Sequence, residues 1–298
     1  MNILENLGLD SFSAMTLLIN LGLAFAILSS LRFILGQISN VDAKDELAEK
    51  DNPAFGISLA GVILGVTIML TGVIYGEPGA DYKSEMMAVL GYGVLGVVLM
   101  ILTKLLFDKI ALPNLDVHKE ILGRNVSVGL LDAGNVIATA IIVRAVMIWT
   151  ESVTLDGVYM VLLGYALSQL ILLLATIIQR VFYRRHHDHS LQKAFTENKL
   201  ATAWHFAGYR IGVALAITAA TSYVPYAPDD LFGVAITWFA LSLLLMFAVS
   251  ILVWVAERII FMGIPMRDEI DAQQNTGLAV AHAFLTIAVG ILLASLLA

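Results

Sequence analysis

The residues best placed to do chemistry in this chain are ionisable side chains inside long apolar segments. Asp132 lies within the apolar segment 125–149, and His205 and Arg210 lie within the segment 199–223. A charge near the centre of a bilayer is costly unless it is paired, neutralised or hydrated. These side chains therefore indicate either an ion or proton site, or a buried pair that locks helices together.

Asp132 belongs to a polar stripe that would lie on one face of a helix. The stripe consists of Asn125, Gly129, Asp132, Asn135 and Thr139. Its functional interpretation is an ion or proton site, and its structural interpretation is an ion pair or hydrogen bond that fixes the bundle. Arg210 also needs an anionic partner, and Asp132 is the best candidate within the apolar segments.

His282 takes the position equivalent to Asp132 when Asn125 is aligned with Asn275. We hypothesise that the two side chains face each other across a pseudo-twofold axis. A histidine beside a carboxylate can pass protons near neutral pH. A neutral, hydrogen-bonded packing histidine is the alternative. His205 and Arg210 are about 140° apart around a helix, so they should meet different neighbours.

The basic stretch 184–189 reads Arg-Arg-His-His-Asp-His and invites a metal interpretation. It directly follows an apolar segment, however, where positive charge is expected on the cytoplasmic side. We interpret it as such a flank, with anionic lipid head groups as the natural contact of Arg184 and Arg185. The chain has no cysteine, phosphate-binding loop or zinc-protease motif. We therefore expect no cofactor, no metal, no nucleic-acid partner and no enzymatic activity.

Composition places these residues in a polytopic membrane protein in contact with the lipid bilayer. The 298 residues are 59% hydrophobic and only 14% charged, whereas soluble domains are about a quarter charged. Segments long enough to cross about 30 Å as helices are predicted at eight places. They are 12–36, 53–75, 86–108, 125–149, 156–182, 199–223, 231–261 and 275–297.

The distribution of lysine and arginine predicts the orientation of these segments. Most of the basic residues lie in or beside the loops between segments 1 and 2, 3 and 4, 5 and 6, and 7 and 8. Since basic loops stay in the cytoplasm, both termini should face outside. The short loops leave no room for a soluble catalytic domain.

Internal repeats subdivide the chain. Asp45-Glu46-Leu47 precedes Asn52 as Asp268-Glu269-Ile270 precedes Asn275, and an Ala-Gly pair recurs near the start of three even-numbered segments. Each repeat is predicted to be a helical hairpin, and all four hairpins share one orientation. The even-numbered segments are rich in small residues at i, i+4, which predicts an inner cluster with the odd-numbered segments partly facing lipid.

The sequence Asn-Pro-Ala-Phe-Gly-Ile-Ser-Leu-Ala-Gly-Val-Ile-Leu-Gly at 52–65 resembles the motif of a bacterial inner-membrane family. That family is domain of unknown function 350, the YjfL-like proteins, and segments 125–138 and 199–212 look like further copies. The resemblance implies a tandem duplication of a four-span unit, with halves near 1–152 and 153–298. It also implies a bacterial inner-membrane location, and it supplies no catalytic residues.

The sequence thus predicts an all-α transmembrane bundle of eight helices, built from four parallel hairpins in two pseudo-symmetric halves. Three classes of function remain open. The first is a conduit or carrier for protons or another small ion or solute, whose polar interior would include Asp132, Asn135, His205, Arg210 and His282. The second is a non-catalytic membrane scaffold or partner subunit in a membrane-stress response. An intramembrane enzyme is the third and least favoured class.

Overall fold

The computed structural model describes residues 11–39, 41–75, 81–150 and 155–297, and the described part is helical with no strand. Its long helices are α1 Ser11–Ser39, α2 Pro53–Ile74, α3 Tyr82–Leu106, α4 Val126–Thr150, α5 Leu155–His186, α6 Leu200–Thr218, α7 Leu231–Ile260 and α8 Thr276–Leu296. Short helical turns, such as Asp45–Glu49 and Asp268–Ala272, connect the odd-numbered helices to the even-numbered ones.

The even-numbered helices begin with a repeated device. Asn52, Asn125 and Asn275 each accept a hydrogen bond from the backbone N–H three residues later, at 3.1 to 3.2 Å. These bonds satisfy N–H groups that a helix leaves free at its start. The residue directly before the cap of each even-numbered helix has a positive φ, which turns the chain sharply. These residues are Asp51, Arg124, Asn198 and Gln274.

The cap asparagines also connect one repeat to the next. The Asn52 amide donates to a carboxylate oxygen of Glu46 at 2.8 Å and to the Ile121 carbonyl in the second repeat at 2.9 Å. The Asn125 amide likewise donates to the Phe195 carbonyl in the third repeat at 2.9 Å. The first three hairpins are therefore held together at their loop ends by the asparagines that cap α2 and α4.

The four even-numbered helices lie in a row, in the order α2, α4, α6, α8. Glycines of each helix meet alanines of the next: Gly61 with Ala133, Gly134 with Ala207, and Gly208 with Ala283. A Cβ on any of these glycines would collide with its neighbour, so glycine is what permits the close approach. The contacts advance in the same direction along neighbouring helices, which makes the four helices parallel.

The odd-numbered helices cover this row unevenly. Across the apolar window of each helix, 78% of α4 is buried but only 22% of α1, 28% of α7 and 33% of α8. The predicted inner position of the even-numbered helices therefore holds for α4 and α6, whereas α2 and α8 end the row and α8 exposes one face. Phe284 lies on that face, where the earlier helices have a glycine, and is 57% exposed.

Seven helices in the described part of the chain are long and apolar enough to cross a membrane: α1 to α5, α7 and α8, some with a flanking turn. The helix that falls outside this set is α6, which has 19 residues. His205 and Arg210 lower its hydropathy, yet the helix packs between α4 and α8.

Candidate functional site: two buried polar clusters and a cavity

Asp132 forms its ion pair with a residue that the sequence did not suggest. Its side chain is 1% exposed, and its Oδ2 atom lies 2.6 Å from the Nζ atom of Lys104 on α3. Ser58 on α2 donates a short hydrogen bond to the same oxygen. The expected pairing of Asp132 with Arg210 or His282 is therefore wrong.

Arg210 is buried between α4, α5 and α6, where neutral oxygens solvate it. Its guanidinium donates to the side-chain oxygens of Asn135 and Thr176 and, at 3.1 Å, to the Leu172 carbonyl. The rings of Phe107 and Phe206 lie 5.1 and 5.6 Å from its central carbon. Aromatic faces attract a guanidinium, so these contacts replace the carboxylate expected from the sequence.

His205 and His282 form the second cluster, together with Glu257. The two imidazole rings stack with centroids 4.6 Å apart and planes 17° apart. The Nε2 atom of His282 lies 3.5 Å from a carboxylate oxygen of Glu257 on α7. The Nδ1 atoms of both rings are buried and have no hydrogen-bond partner in the described part of the chain. The partner of His282 is thus a glutamate of its own half.

A cavity of about 590 Å³ opens beside this cluster. It lies among α5, α6, α7, α8 and the loop before α8, and His205, His282 and Glu257 line it. Gln179, whose Oε1 atom is buried without a partner among the described residues, also lines it. This combination of apolar walls with few polar groups is typical of a small-ligand site.

A second carboxylate–histidine pair lies at the loop end of the same cavity. His187, just past the end of α5, has its Nε2 atom 3.9 Å from a carboxylate oxygen of Asp271. Burial raises the pKa of the Asp271 carboxyl, although nearby basic groups oppose this effect. The His187 ring stacks on Tyr183 with a centroid distance of 4.0 Å. The cavity thus joins an outer pair to the inner pair of His282 and Glu257.

The two clusters occupy equivalent places in the two halves of the chain. Ser58 stands three residues before Gly61 as His205 stands three before Gly208, and both glycines make the same helix contact. Asp132 and His282 each precede the alanine at that contact. Lys104 and Glu257 then supply the third side chain from α3 and α7. Counted from the caps of these helices, Glu257 lies one turn further along.

The sequence singled out Asp132, Asn135, His205, Arg210 and His282, and the structure buries four of them among the helices and leaves His205 half-buried. It separates them into the Asp132 cluster, the Arg210–Asn135 contact and the histidine cluster. Sequence reasoning missed Ser58, Lys104 and Glu257. The repeat alignment contained a signal for the first, since it places Ser58 opposite His205.

The basic stretch 184–189 spans the end of α5 and the loop that follows it. Among the described residues, no group of three or more histidine, aspartate or glutamate side chains could hold a metal ion. His189 instead contacts the Lys199 ammonium at 3.1 Å. Burial is the main cause that lowers the pKa of the His189 imidazole, and the positive charge of Lys199 lowers it further. Arg184 and Arg185 are exposed.

A helical, multi-pass membrane protein with an internal repeat and buried polar clusters is the class that the fold and the site define. The chain belongs to the family described as Domain of Unknown Function (DUF350), whose model matches residues 4–147 and 152–297. It therefore carries two tandem copies of that domain. No curated protein and no solved structure gives a significant match.

Proposed function

We propose that this protein is a carrier for protons or another small ion or solute in the bacterial inner membrane. The observation that supports this function is the cavity of about 590 Å³ with buried, titratable side chains at its inner end. Ionisable side chains at membrane depth are rare, and those that occur commonly mark pathways for ions or protons. The chain is not proposed to be an enzyme.

The topology that fits this function has eight crossings in four hairpins of one orientation. α6 supports it, because this helix runs parallel to α4 and α8 and lies between two helices that can cross the membrane. The basic loops would then face the cytoplasm, with both termini outside. Arg184 and Arg185 would lie at the cytoplasmic surface, where anionic lipid head groups can bind them.

A carrier is favoured over an open channel because α6 and α8 pack tightly against each other beyond the histidines. Further along α8, Thr286 and Gly290 come so close to Gly212 of α6 that no Cβ would fit between them. Two helices in such contact leave no aqueous path between them. Transport would therefore require α6 and α8 to separate there, which alternating exposure of a bound ion demands.

The test is a flux assay on the purified full chain in liposomes that contain a pH-sensitive dye or ion-selective dyes. The test variant is Glu257→Gln, which removes the carboxylate beside His282. The matched control is Glu197→Gln, because Glu197 lies outside the cavity lining. We expect wild-type flux, its loss in the first variant and its retention in the control. Gel filtration of both variants checks assembly. Absence of wild-type flux under every gradient would overturn the proposal.

A non-catalytic scaffold or partner subunit in a membrane-stress response is the second candidate. The polar groups around Asp132 and Arg210 favour it, because Asp132 is paired with Lys104 and Arg210 is solvated by Asn135 and Thr176. Paired groups of this kind can fix helix register without carrying anything. Under this function, replacing both members of a pair with neutral residues would leave the scaffold function unchanged.

A further inference from the structure

We propose that the species bound in the cavity is the proton, which passes between an outer pair, His187 with Asp271, and an inner pair, His282 with Glu257. This inference rests on the proposed carrier function and narrows it to one substrate. It depends on the placement of two carboxylate–imidazole pairs along one cavity.

The two pairs come from different parts of the fold. The outer pair joins the end of α5 to the turn Asp268–Ala272, with 3.9 Å between the Nε2 atom of His187 and the carboxylate. The inner pair joins α7 to α8, with 3.5 Å between the Nε2 atom of His282 and the carboxylate. Imidazole exchanges protons near neutral pH, and an adjacent carboxylate stabilises the charged ring.

The cluster of His205, His282 and Glu257 is suited to one proton and poorly suited to a metal or alkali cation. Sodium and potassium require several oxygen ligands, whereas His205 and His282 present ring nitrogens. The residues that the structure describes contain no three-ligand metal group. Because the two rings stack at 4.6 Å, two imidazolium charges would repel each other, and the stack holds a single proton beside one carboxylate.

The other charged groups around the cavity are consistent with this substrate. The titratable and charged side chains that line it are Tyr183, His186 and His187 from α5 and its end, His205 and Tyr209 from α6, Glu257 and Arg258 from α7, Arg267 and Asp271 from the loop, and His282 from α8. Two arginines near the mouth repel metal and alkali cations. Proton exchange between water and imidazole is less affected, because the carboxylate beside each ring balances the charge of the imidazolium that forms.

The proton balance of each step is simple. A hydronium ion at the cavity transfers a proton to a neutral ring nitrogen of His187, which leaves a water molecule and an imidazolium whose charge Asp271 balances. Water in the cavity then receives a proton from that ring and delivers one to His282 or His205, so that His187 becomes neutral again. Only N–H and O–H bonds form and break, and no oxidant or co-substrate is needed.

The experiment compares proton flux with sodium and potassium flux in liposomes that contain the full chain. The variants are His187→Gln at the outer pair, His282→Gln at the inner pair, and His118→Gln as a control, since His118 is exposed and outside the cavity lining. We expect His282→Gln to reduce proton flux about 100-fold, within the range known for loss of a proton-transfer group. His187→Gln should reduce proton flux by a smaller factor.

Each result has a distinct meaning. Flux of sodium, potassium or another solute without proton flux would overturn this inference and leave the carrier function intact. Proton flux that is equal in wild type and both cavity variants would also overturn it. Absence of any flux would overturn both proposals. Should His282→Gln assemble poorly, His187→Gln decides the question, because His187 follows the end of α5 and does not lie between the helices of the row.

Discussion

Removing the charge of Lys104 should destabilise this protein by an amount that depends on pH. In Lys104→Met the aliphatic stem remains, but Asp132 loses the ammonium 2.6 Å from its carboxylate. The carboxylate side chain is only 1% exposed, so water cannot replace that ammonium. Breaking a buried ion pair on one side costs about 3–5 kcal/mol in proteins.

Protonation sets a ceiling on this loss. An aspartic acid side chain has a pKa of about 3.9 in water, so placing a proton on it at pH 7 costs about 4 kcal/mol and at pH 5 about 1.5 kcal/mol. The variant can escape the unpaired charge by taking up that proton. We therefore expect a loss of about 2–4 kcal/mol in the free energy of unfolding at pH 7 and a clearly smaller loss at pH 5.

The assay is unfolding in mixed micelles by a denaturing detergent, followed by tryptophan fluorescence at both pH values. Lys109→Met is the matched control, because Lys109 pairs with Asp108 at the surface and its side chain is 76% exposed. That pair should contribute less than about 1 kcal/mol. The double variant Lys104→Met/Asp132→Asn should recover most of the loss. Equal losses at pH 7 and pH 5, or a loss no larger than the control, would refute the reasoning.

Three further predictions concern the repeats. Gly129→Ala should destabilise the fold by about 1–3 kcal/mol, because the new Cβ would lie 2.9 Å from an α2 Cα atom; Gly91→Ala, with nothing within 4 Å, should not. Asn125→Ala should cost about 1–2 kcal/mol, and more than Asn275→Ala, since only the former also loses a bond to the next repeat. A hydrogen bond from the lysine four residues later lowers the pKa of Glu46, so this carboxylate stabilises the fold above pH of about 4.3 and less as pH falls. Glu46→Gln should remove that part of the acid sensitivity. Detergent unfolding against wild type measures all three, and unchanged midpoints in Gly129→Ala, Asn125→Ala or Glu46→Gln would contradict the corresponding contact.

The equivalence of the two clusters suggests how a duplicated domain has diverged. Ser58 and Asp132 in the first half occupy the same positions as His205 and His282 in the second half. The third side chain is Lys104 in the first half and Glu257 in the second, where it lies one helical turn further along. The first set is a fixed ion pair with a hydroxyl, whereas the second set places two imidazole rings beside a carboxylate, groups that can accept and release a proton. One half can therefore hold the bundle together while the other carries the proposed proton.

The sequence by itself determined the helices and the repeat. Apolar length fixed most of the membrane-crossing helices, and Asn52, Asn125 and Asn275 marked where three of the even-numbered helices begin. Both features are local, because backbone hydrogen bonds must close within each helix in lipid and a cap acts within one turn. The family motif indicated the duplication, because it is also a local pattern that recurs along the chain.

Tertiary structure alone decided which polar groups meet. Lys104 resembles an interfacial lysine in sequence, but the close contact of α2 and α4 turns Asp132 towards it. Arg210 found amide and hydroxyl oxygens and aromatic rings in place of a carboxylate, and His282 found Glu257. Helical periodicity gives the relative angles of side chains on one helix, but not the rotation of that helix against its neighbours. That rotation is set by the packing of glycine against alanine across the row, which involves residues far apart in the chain.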